Sequence, residues 1–174
     1  SPTDLQTAGT YTGVTVTGDT PVSGMIMIIL PSGYINLAEV QVFDSNDISL
    51  SRTASLSSVM FDAANCVDDS LSNFCHSDSV SNSWLKIFVS VPGSQIAKVV
   101  VTNRSGCCQG RIVSATLTVY NDETDASSSL WTRTFIDESP TYTFTCGSDC
   151  PPQGKVSVVV TGNSVSAVTV HTQG

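Results

Sequence analysis

Residues 103–111 combine two arginines with a pair of adjacent cysteines, directly after a predicted strand. A guanidinium stays charged at ordinary pH and presents several N–H donors in a fixed fork, so Arg104 and Arg111 could hold neighbouring hydroxyls and the ring oxygen of a sugar. Consecutive Cα atoms lie about 3.8 Å apart, which is shorter than the usual disulfide span of about 4.4 to 6.8 Å. A bond between Cys107 and Cys108 would therefore form a compact, rigid, apolar platform. The platform and the two arginines together suit a deoxy sugar.

A histidine upstream of this segment is the third candidate. His76 follows Cys75, and a neutral imidazole can both donate a hydrogen bond to a hydroxyl and accept one from it. Each candidate also has an ordinary interpretation, because a His beside Trp84 can pack in a core and single Arg side chains are usually solvated. The joint spacing of these residues favours a binding site over that interpretation.

The stretch 65–120 resembles the F-type lectin (fucolectin) family, whose motif is a His, then an Arg, then a second Arg after vicinal cysteines. In that family the three polar residues bind fucose and the cysteines stack against the sugar. The resemblance also implies an antiparallel β-sandwich of the galactose-binding, discoidin-like type. The sugar-binding residues that it implies are His76, Arg104, Arg111, Cys107 and Cys108.

Two positions depart from the family pattern. Gly106 stands where the family usually has an Asp, and Trp84-Leu85 stands where the family has paired Trp. The sequence also contains an N-glycosylation pattern at Asn103-Arg104-Ser105, where a glycan would obstruct the implied sugar pocket. We therefore expect Asn103 to be unmodified if the pocket binds sugar.

Residues 65–70, Asn-Cys-Val-Asp-Asp-Ser, resemble the calcium loop of the same family. Oxygen ligands from a tight loop suit this hard cation, and the resemblance adds one ligand three residues before the His and one on a Leu-x-Glu-Val-x-Val strand. The implied Ca²⁺ ligands are Asn65, Asp68, Ser70, Asn73 and Glu39.

Two other interpretations of this region stay open. Asp68 and Asp69 could only cap a turn, which is a common role for Asp in loops. Cys66, Cys75 and His76 could be zinc ligands, although no fourth ligand is evident.

The order of the family segments is changed in this chain. Residues 37–43 match a strand that the family has near its C-terminus, and residues 143–160 resemble the segment that precedes that strand. The chain therefore looks circularly rotated, and the resemblance covers most of residues 24–160. Ala38 stands where the family has a Cys, which leaves Cys75 to another partner. The predicted disulfides are Cys66–Cys75, Cys107–Cys108 and Cys146–Cys150.

Hydrophobic alternation predicts an all-β fold. Runs rich in Val, Ile and Thr with period 2 recur between turn residues, and no long stretch has helical periodicity. The predicted strands are 13–17, 25–30, 37–43, 84–89, 97–102, 112–120, 141–145, 155–161 and 165–171. Gly162-Asn163 predicts a tight turn, and residues 121–130 predict a flexible loop. We expect one domain across 1–174, an antiparallel sandwich or jelly roll.

Composition excludes several classes of function. Seven Lys plus Arg against fifteen Asp plus Glu give a net charge of −8, which argues against nucleic acid as a partner. Six cysteines, an even number, favour a disulfide framework and a processed, secreted chain. No apolar run approaches the roughly 20 residues of a membrane span. A GxSxG or HExxH motif is absent, so we expect a binding protein and not an enzyme.

The two ends of the chain contain similar segments. Residues 14–19, Val-Thr-Val-Thr-Gly-Asp, are echoed by residues 158–163, Val-Val-Val-Thr-Gly-Asn. The main prediction is calcium-stabilised recognition of fucose or a similar deoxy sugar on fucosylated extracellular glycans, with weak sites made effective by multivalency. The alternative is a structural extracellular module of lectin fold, which uses terminal strands in 13–31 and 155–171 to form a homo-oligomer, fibre or tandem array by β-augmentation.

Overall fold

The structure is a computed structural model that describes residues 22–78 and 80–151, together with the backbone of two later strands. The chain divides into two compact units, one formed by Pro21–Gln153 and the other by Ser1–Thr20 with Gly154–Gly174. In the first unit, two antiparallel sheets pack against each other, so the predicted all-β sandwich is confirmed.

The described residues form strands joined by turns and short 3₁₀ helices. The strands are β1 (Gly24–Gly33), β2 (Asn36–Phe43), β3 (Arg52–Leu56), β4 (Cys75–His76), β5 (Val80–Val89), β6 (Lys98–Asn103), β7 (Thr116–Tyr120), β8 (Ser129–Thr134), β9 (Thr141–Thr145), β10 (Lys155–Val158) and β11 (Val168–His171). The 3₁₀ helices are η1 (Ala63–Cys66), η2 (Gly93–Gln95), η3 (Gln109–Ile112) and η4 (Gly147–Asp149).

One sheet has the strand order β3-β5-β1-β7-β8 and the other has the order β4-β2-β6-β9. Alternating residues of β1 and β5 are buried, as period-2 strands with one core face require, and Ile26, Ile28, Leu85 and Ile87 are fully buried. Val99 and Val101 of β6 contribute to the same core from the other sheet. The apolar alternation therefore places the core between the two sheets.

A register shift in β2 determines which way the candidate site residue Glu39 faces. Between Leu37 and Glu39 the pairing of β2 with β6 moves by one residue, so that Leu37 and Val40 are both buried in the core. A bulge of this kind re-aims the neighbouring side chains. Because side chains alternate along a strand, Glu39 lies on the opposite face from Val40 and Val42.

Several strand predictions change in detail. The strand predicted for 112–120 begins only at Thr116, because Ile112 closes η3 and Ser114 has a φ of 75° that no regular strand allows. The loop predicted for 121–130 ends earlier, since β8 begins at Ser129, and hydrogen bonds to the Asp122 and Asp125 carboxylates order its turn. Strands β3, β4 and β8 are not among the predicted strands.

The two segments that the assembly hypothesis invokes, within 13–31 and 155–171, contribute strands to different sheets. Gly24–Gly33 is the central strand of the five-stranded sheet, between β5 and β7. β10 and β11 pair with each other as an antiparallel two-stranded sheet, with Lys155 opposite His171. The predicted strand 13–17 and the Gly162-Asn163 turn lie outside the described residues. In the described part of the chain, no helix has the length and apolar character that crossing a membrane demands.

Candidate functional site

His76 lies at the edge of the four-stranded sheet. Its strand β4 pairs with β2, where Asn36 is opposite His76, and the His76 backbone also pairs with Phe61. The imidazole is buried, and its Nδ1 lies 2.5 Å from the carbonyl oxygen of Ser77. Because a carbonyl oxygen only accepts, Nδ1 carries a hydrogen, and in a neutral imidazole Nε2 is then the acceptor.

Arg111 meets that acceptor from a neighbouring element. It lies in η3, which is anchored by the buried Ile112, and its Nη1 is 3.4 Å from His76 Nε2. The Arg111 guanidinium also lies over the ring of Tyr34, with Cζ 5.0 Å from the ring centroid. The Tyr34 ring is in turn 5.3 Å from the imidazole, so these three side chains form one cluster.

Arg104 reaches the same cluster through a second aromatic ring. It directly follows β6, and its Cζ lies 3.9 Å from the centroid of Phe74. The Phe74 ring lies 6.3 Å from the imidazole of His76. Each arginine therefore lies over a ring that neighbours His76, and the structure brings the predicted polar triad together.

The N–H donors of the two arginines are mostly unused by the described part of the chain. Within residues 22–78 and 80–151, the Arg104 guanidinium makes no hydrogen bond or ion pair, and the Arg111 guanidinium bonds only to His76. A guanidinium has five N–H donors. The cluster can therefore donate several hydrogen bonds to a ligand that presents hydroxyl or other oxygen acceptors.

The loop between the arginines is held by a buried amide. Asn103 is 3% exposed, and its Nδ2 donates to the carbonyl oxygens of Gln109 and Ser139, at 3.0 Å each. Because this nitrogen is buried and engaged, it is not accessible as a glycan acceptor. Cys107 and Cys108 lie in the same loop with Cα atoms 3.8 Å apart, and Cys107 is exposed.

Exposed apolar side chains border the histidine. Val59, Met60 and Phe61 are 62%, 51% and 47% exposed, and the backbone N–H groups of the last two donate to the His76 carbonyl. The Phe61 ring contacts both Phe74 and His76, at centroid distances of 5.1 and 6.0 Å. Sequence reasoning missed these aromatic residues and Tyr34, although Phe74 directly precedes the Cys75-His76 pair.

The loop closed by the Cys66–Cys75 pair contains three of the five predicted calcium ligands, and a fourth, Asn65, directly precedes it. The Asp68 carboxylate accepts from the backbone N–H of Ser70 and, at 2.7 Å, from Nδ2 of Asn73. Nδ2 of Asn65 donates to the carbonyl oxygen of Phe74, and Ser70 Oγ lies 2.8 Å from Ser72 Oγ. Asp68 thus caps a turn, as the alternative interpretation required, and also shares a hydrogen bond with a second predicted ligand.

Glu39, the fifth predicted ligand, is paired with a cation of the protein itself. Its Oε1 lies 2.8 Å from Nη2 of Arg52, a residue that sequence reasoning did not identify. The same Nη2 lies 2.5 Å from Oδ1 of Asp69. Burial raises the pKa of the Glu39 carboxyl, and the Arg52 guanidinium opposes that shift. For Arg52, burial acts to lower the pKa, but the bonds to Glu39 and Asp69 outweigh it and raise the pKa.

Two buried oxygens bear on whether a calcium ion fits among the predicted ligands. Oε2 of Glu39 and Oδ1 of Asn73 have no hydrogen-bond partner within the described part of the chain. Buried oxygens without partners are uncommon, and a hard cation would satisfy them. No three His, Cys, Asp or Glu side chains converge on a metal position among the described residues. The fit therefore depends on amide and hydroxyl oxygens in addition to carboxylates.

All three predicted cysteine pairs lie at disulfide distance. The Cα atoms of Cys66 and Cys75 are 5.2 Å apart, and those of Cys146 and Cys150 are 4.8 Å apart, both within the usual range. With Cys66 and Cys75 paired to each other, their thiolates are not available for zinc. This pairing argues against the zinc interpretation.

Comparison of the chain with family models, with curated proteins and with solved structures finds no match in any of the three.

Proposed function

We propose that this protein binds carbohydrate, with fucose or a similar deoxy sugar as the ligand and His76, Arg104 and Arg111 as the polar contacts. One observation carries the proposal: two guanidinium groups lie over aromatic rings that neighbour one histidine, and their N–H donors are mostly unused by the described chain. Such an arrangement suits a small, oxygen-rich, neutral ligand that also has an apolar side.

Each group has a distinct role in this proposal. His76 Nε2 accepts a hydrogen bond from a sugar hydroxyl in place of the one from Arg111, while the two guanidinium groups donate to neighbouring hydroxyls and to the ring oxygen. The exposed Phe61 ring and the Cys107–Cys108 pair offer apolar surface to the C–H face and methyl group of a deoxy sugar. We propose binding without catalysis, because these groups only exchange hydrogen bonds with hydroxyls.

The calcium part of the proposal concerns the loop closed by Cys66 and Cys75. Glu39, Asp68 and Asn73 would hold the ion, with Asn65 and Ser70 completing the set. A bound Ca²⁺ would supply positive charge and fill the coordination of the buried oxygens. Because this loop leads directly into β4, its order determines the position of His76. The paired cysteines are consistent with an extracellular location, which we also propose.

A glycan array tests the proposal. The wild-type protein is applied with calcium and with a chelator, beside a variant carrying Arg104→Ala and Arg111→Ala. We expect calcium-dependent binding to fucosylated glycans that the double variant loses. The matched control is Lys86→Ala, which removes a cation over the ring of Trp84 in the other sheet, at 4.9 Å, and should bind like the wild type.

Two outcomes would contradict the proposal. If the folded wild-type protein binds no glycan on the array, carbohydrate is rejected as the ligand. Binding confined to sulfated or sialylated glycans would instead assign the two arginines to an anion and exclude a neutral deoxy sugar.

The second candidate function is assembly through the terminal strands. β10 and β11 form a two-stranded sheet in the unit that contains both chain ends. A two-stranded hairpin is marginally stable alone and gains stability from pairing with a further strand. If this unit mediates assembly, deletion of residues 162–174 should reduce the sedimentation coefficient to that of a monomer. An unchanged oligomeric state would reject this candidate.

A further inference from the structure

The buried arginine beside Glu39 belongs to neither the sugar contacts nor the predicted calcium ligands. The side chain of Arg52 is 4% exposed, and all parts of its guanidinium are engaged. Nε donates to the Val40 carbonyl at 2.7 Å, and Nη1 lies 3.4 Å from both Ser49 Oγ and the Leu50 carbonyl oxygen. Nη2 carries the ion pairs with Glu39 and Asp69.

These contacts join three parts of the chain. Glu39 and Val40 belong to β2, Arg52 begins β3, and Asp69 lies in the loop closed by Cys66 and Cys75. Arg52 therefore fixes that loop to the sheet at a point where Asp69 has a φ of 62°, which few residues other than Gly adopt readily. The same loop leads into His76.

The charges of this region leave room for one divalent ion. Glu39, Asp68 and Asp69 bring three negative charges and Arg52 brings one positive charge, so two negative charges are unbalanced. Only Oε1 of Glu39 faces Arg52, while its Oε2 and the Asn73 Oδ1 have no partner within the described part of the chain. Of the three carboxylates only that of Glu39 is buried, and a buried carboxylate without a counter-ion is strongly destabilising.

We propose that Arg52 is a built-in counter-ion, which holds Glu39 and the Cys66–Cys75 loop in place before calcium binds. In this arrangement calcium completes the site but is not required to fold it. The inference rests on the calcium part of the proposed function, and it makes Arg52 a positioning residue for the site. Without Arg52, the buried Glu39 carboxylate would depend on calcium as its only counter-ion.

The test is the thermal unfolding midpoint, measured with a chelator and with millimolar calcium, for the wild type, Arg52→Met and the double variant Arg52→Met, Glu39→Gln. We expect calcium to raise the midpoint of Arg52→Met by roughly twice the wild-type shift or more, because the uncompensated carboxylates bind the ion more tightly. In the chelator, the double variant should be more stable than Arg52→Met and should have lost most of the calcium response.

Arg133→Met is the matched control. Like Arg52, Arg133 makes both an ion pair, with Asp149 at 3.1 Å, and hydrogen bonds to backbone carbonyls. It should lower the midpoint equally with and without calcium. An equal calcium shift in Arg52→Met and the wild type would overturn the inference, as would a double variant no more stable than Arg52→Met.

Two further outcomes separate this inference from the proposed function. If Arg52→Met does not fold while the double variant does, the counter-ion role is supported, and failure of both variants rejects it. If calcium changes the unfolding midpoint of none of the proteins, the calcium part of the proposed function fails. The role of Arg52 is then still decided in the chelator, by whether adding Glu39→Gln raises the midpoint of Arg52→Met.

Discussion

The contact between His76 Nδ1 and the Ser77 carbonyl oxygen determines what the other imidazole nitrogen can do. Since Nδ1 donates, Nε2 faces the Arg111 guanidinium as an acceptor, at 3.4 Å. A proton on Nε2 would place two donors against each other. A ligand hydroxyl that donates to Nε2 would take the place of the Arg111 N–H, which could then donate to an oxygen of the ligand.

At the residue scale, we predict that Phe74→Leu weakens sugar binding without removing any polar contact. Phe74 lies under the Arg104 guanidinium at 3.9 Å, and a partly exposed cation–π contact contributes about 0.5 to 1 kcal/mol. The loss should lower the affinity about 2- to 5-fold. Titration calorimetry with a fucosylated oligosaccharide measures this change.

Phe43→Leu is the control for that substitution. Phe43 lies under the Lys98 ammonium at 4.4 Å, near the end of β2, so this variant also loses a cation–π contact. Its sugar affinity should equal that of the wild type. An equal loss in both variants would mean that Phe74 acts only through general stability.

Sequence reasoning identified the polar residues of the candidate site by their types and spacing, but not the groups that orient them. Arg104, Arg111 and His76 are recognisable because few folds place such residues around adjacent cysteines. Tyr34 and Arg52 come from a turn and from a strand without a distinctive pattern. Which ring supports an arginine, or which cation pairs with a buried Glu, depends on packing across strands that sequence separation does not reveal.

At the scale of elements, the loop between β6 and η3 depends on Asn103. We predict that Asn103→Ala lowers the free energy of unfolding by about 1 to 3 kcal/mol, because two hydrogen bonds to backbone carbonyls are lost. Sugar affinity should fall as well, since Arg104 and Arg111 lie on this loop. Urea unfolding and calorimetry measure the two effects, with the exposed Asn46→Ala as a control that should change neither. A fully stable Asn103→Ala variant would contradict this role.

The turn before β9 makes the stability of the fold depend on pH through Tyr142. Burial raises the pKa of Tyr142, whose hydroxyl donates to the Asp137 carbonyl and accepts from the Ser139 N–H. The folded state therefore holds this proton more tightly than the unfolded chain, in which the pKa is about 10. The resulting stability is fully present below about pH 10 and is lost as pH rises through the folded pKa.

Tyr142→Phe removes that titration. The variant should be less stable than the wild type at neutral pH, and its stability should fall less steeply as pH rises above about 10. Urea unfolding at a series of pH values gives both slopes. Parallel slopes for the two proteins would show that Tyr142 makes no such contribution.

The strands illustrate which elements a pattern can predict. β1, β2, β6 and β9 combine apolar alternation with flanking turn residues, and each lies within two or three residues of its predicted bounds. β4 has only two residues, and β3 reads Arg-Thr-Ala-Ser-Leu, so neither is long or apolar enough for period 2 to be visible. Their strand conformation is imposed by pairing with β2 and β5, which is a tertiary effect.

At the scale of the whole molecule, the net charge of −8 determines how assembly and ligand binding should respond to salt. The negative charge opposes close approach of copies at low salt and is screened as salt is added. Assembly of this chain should therefore strengthen with ionic strength if it occurs. Sugar binding at a neutral ligand should respond much less to salt than binding of an anion would.

The unit Pro21–Gln153 contains both sheets of the sandwich, the three cysteine pairs and every candidate site residue. We predict that this fragment folds alone, with the unfolding midpoint and sugar affinity of the full chain, because its core lies between its own two sheets. Fluorescence of Trp84 and Trp131, both in this unit, measures unfolding in the fragment and in the full chain. A fragment that aggregates, or that binds sugar more weakly than the full chain, would show that the terminal segments complete the sandwich. Equal behaviour would assign sugar recognition to the sandwich and leave the terminal unit free for a separate role in assembly.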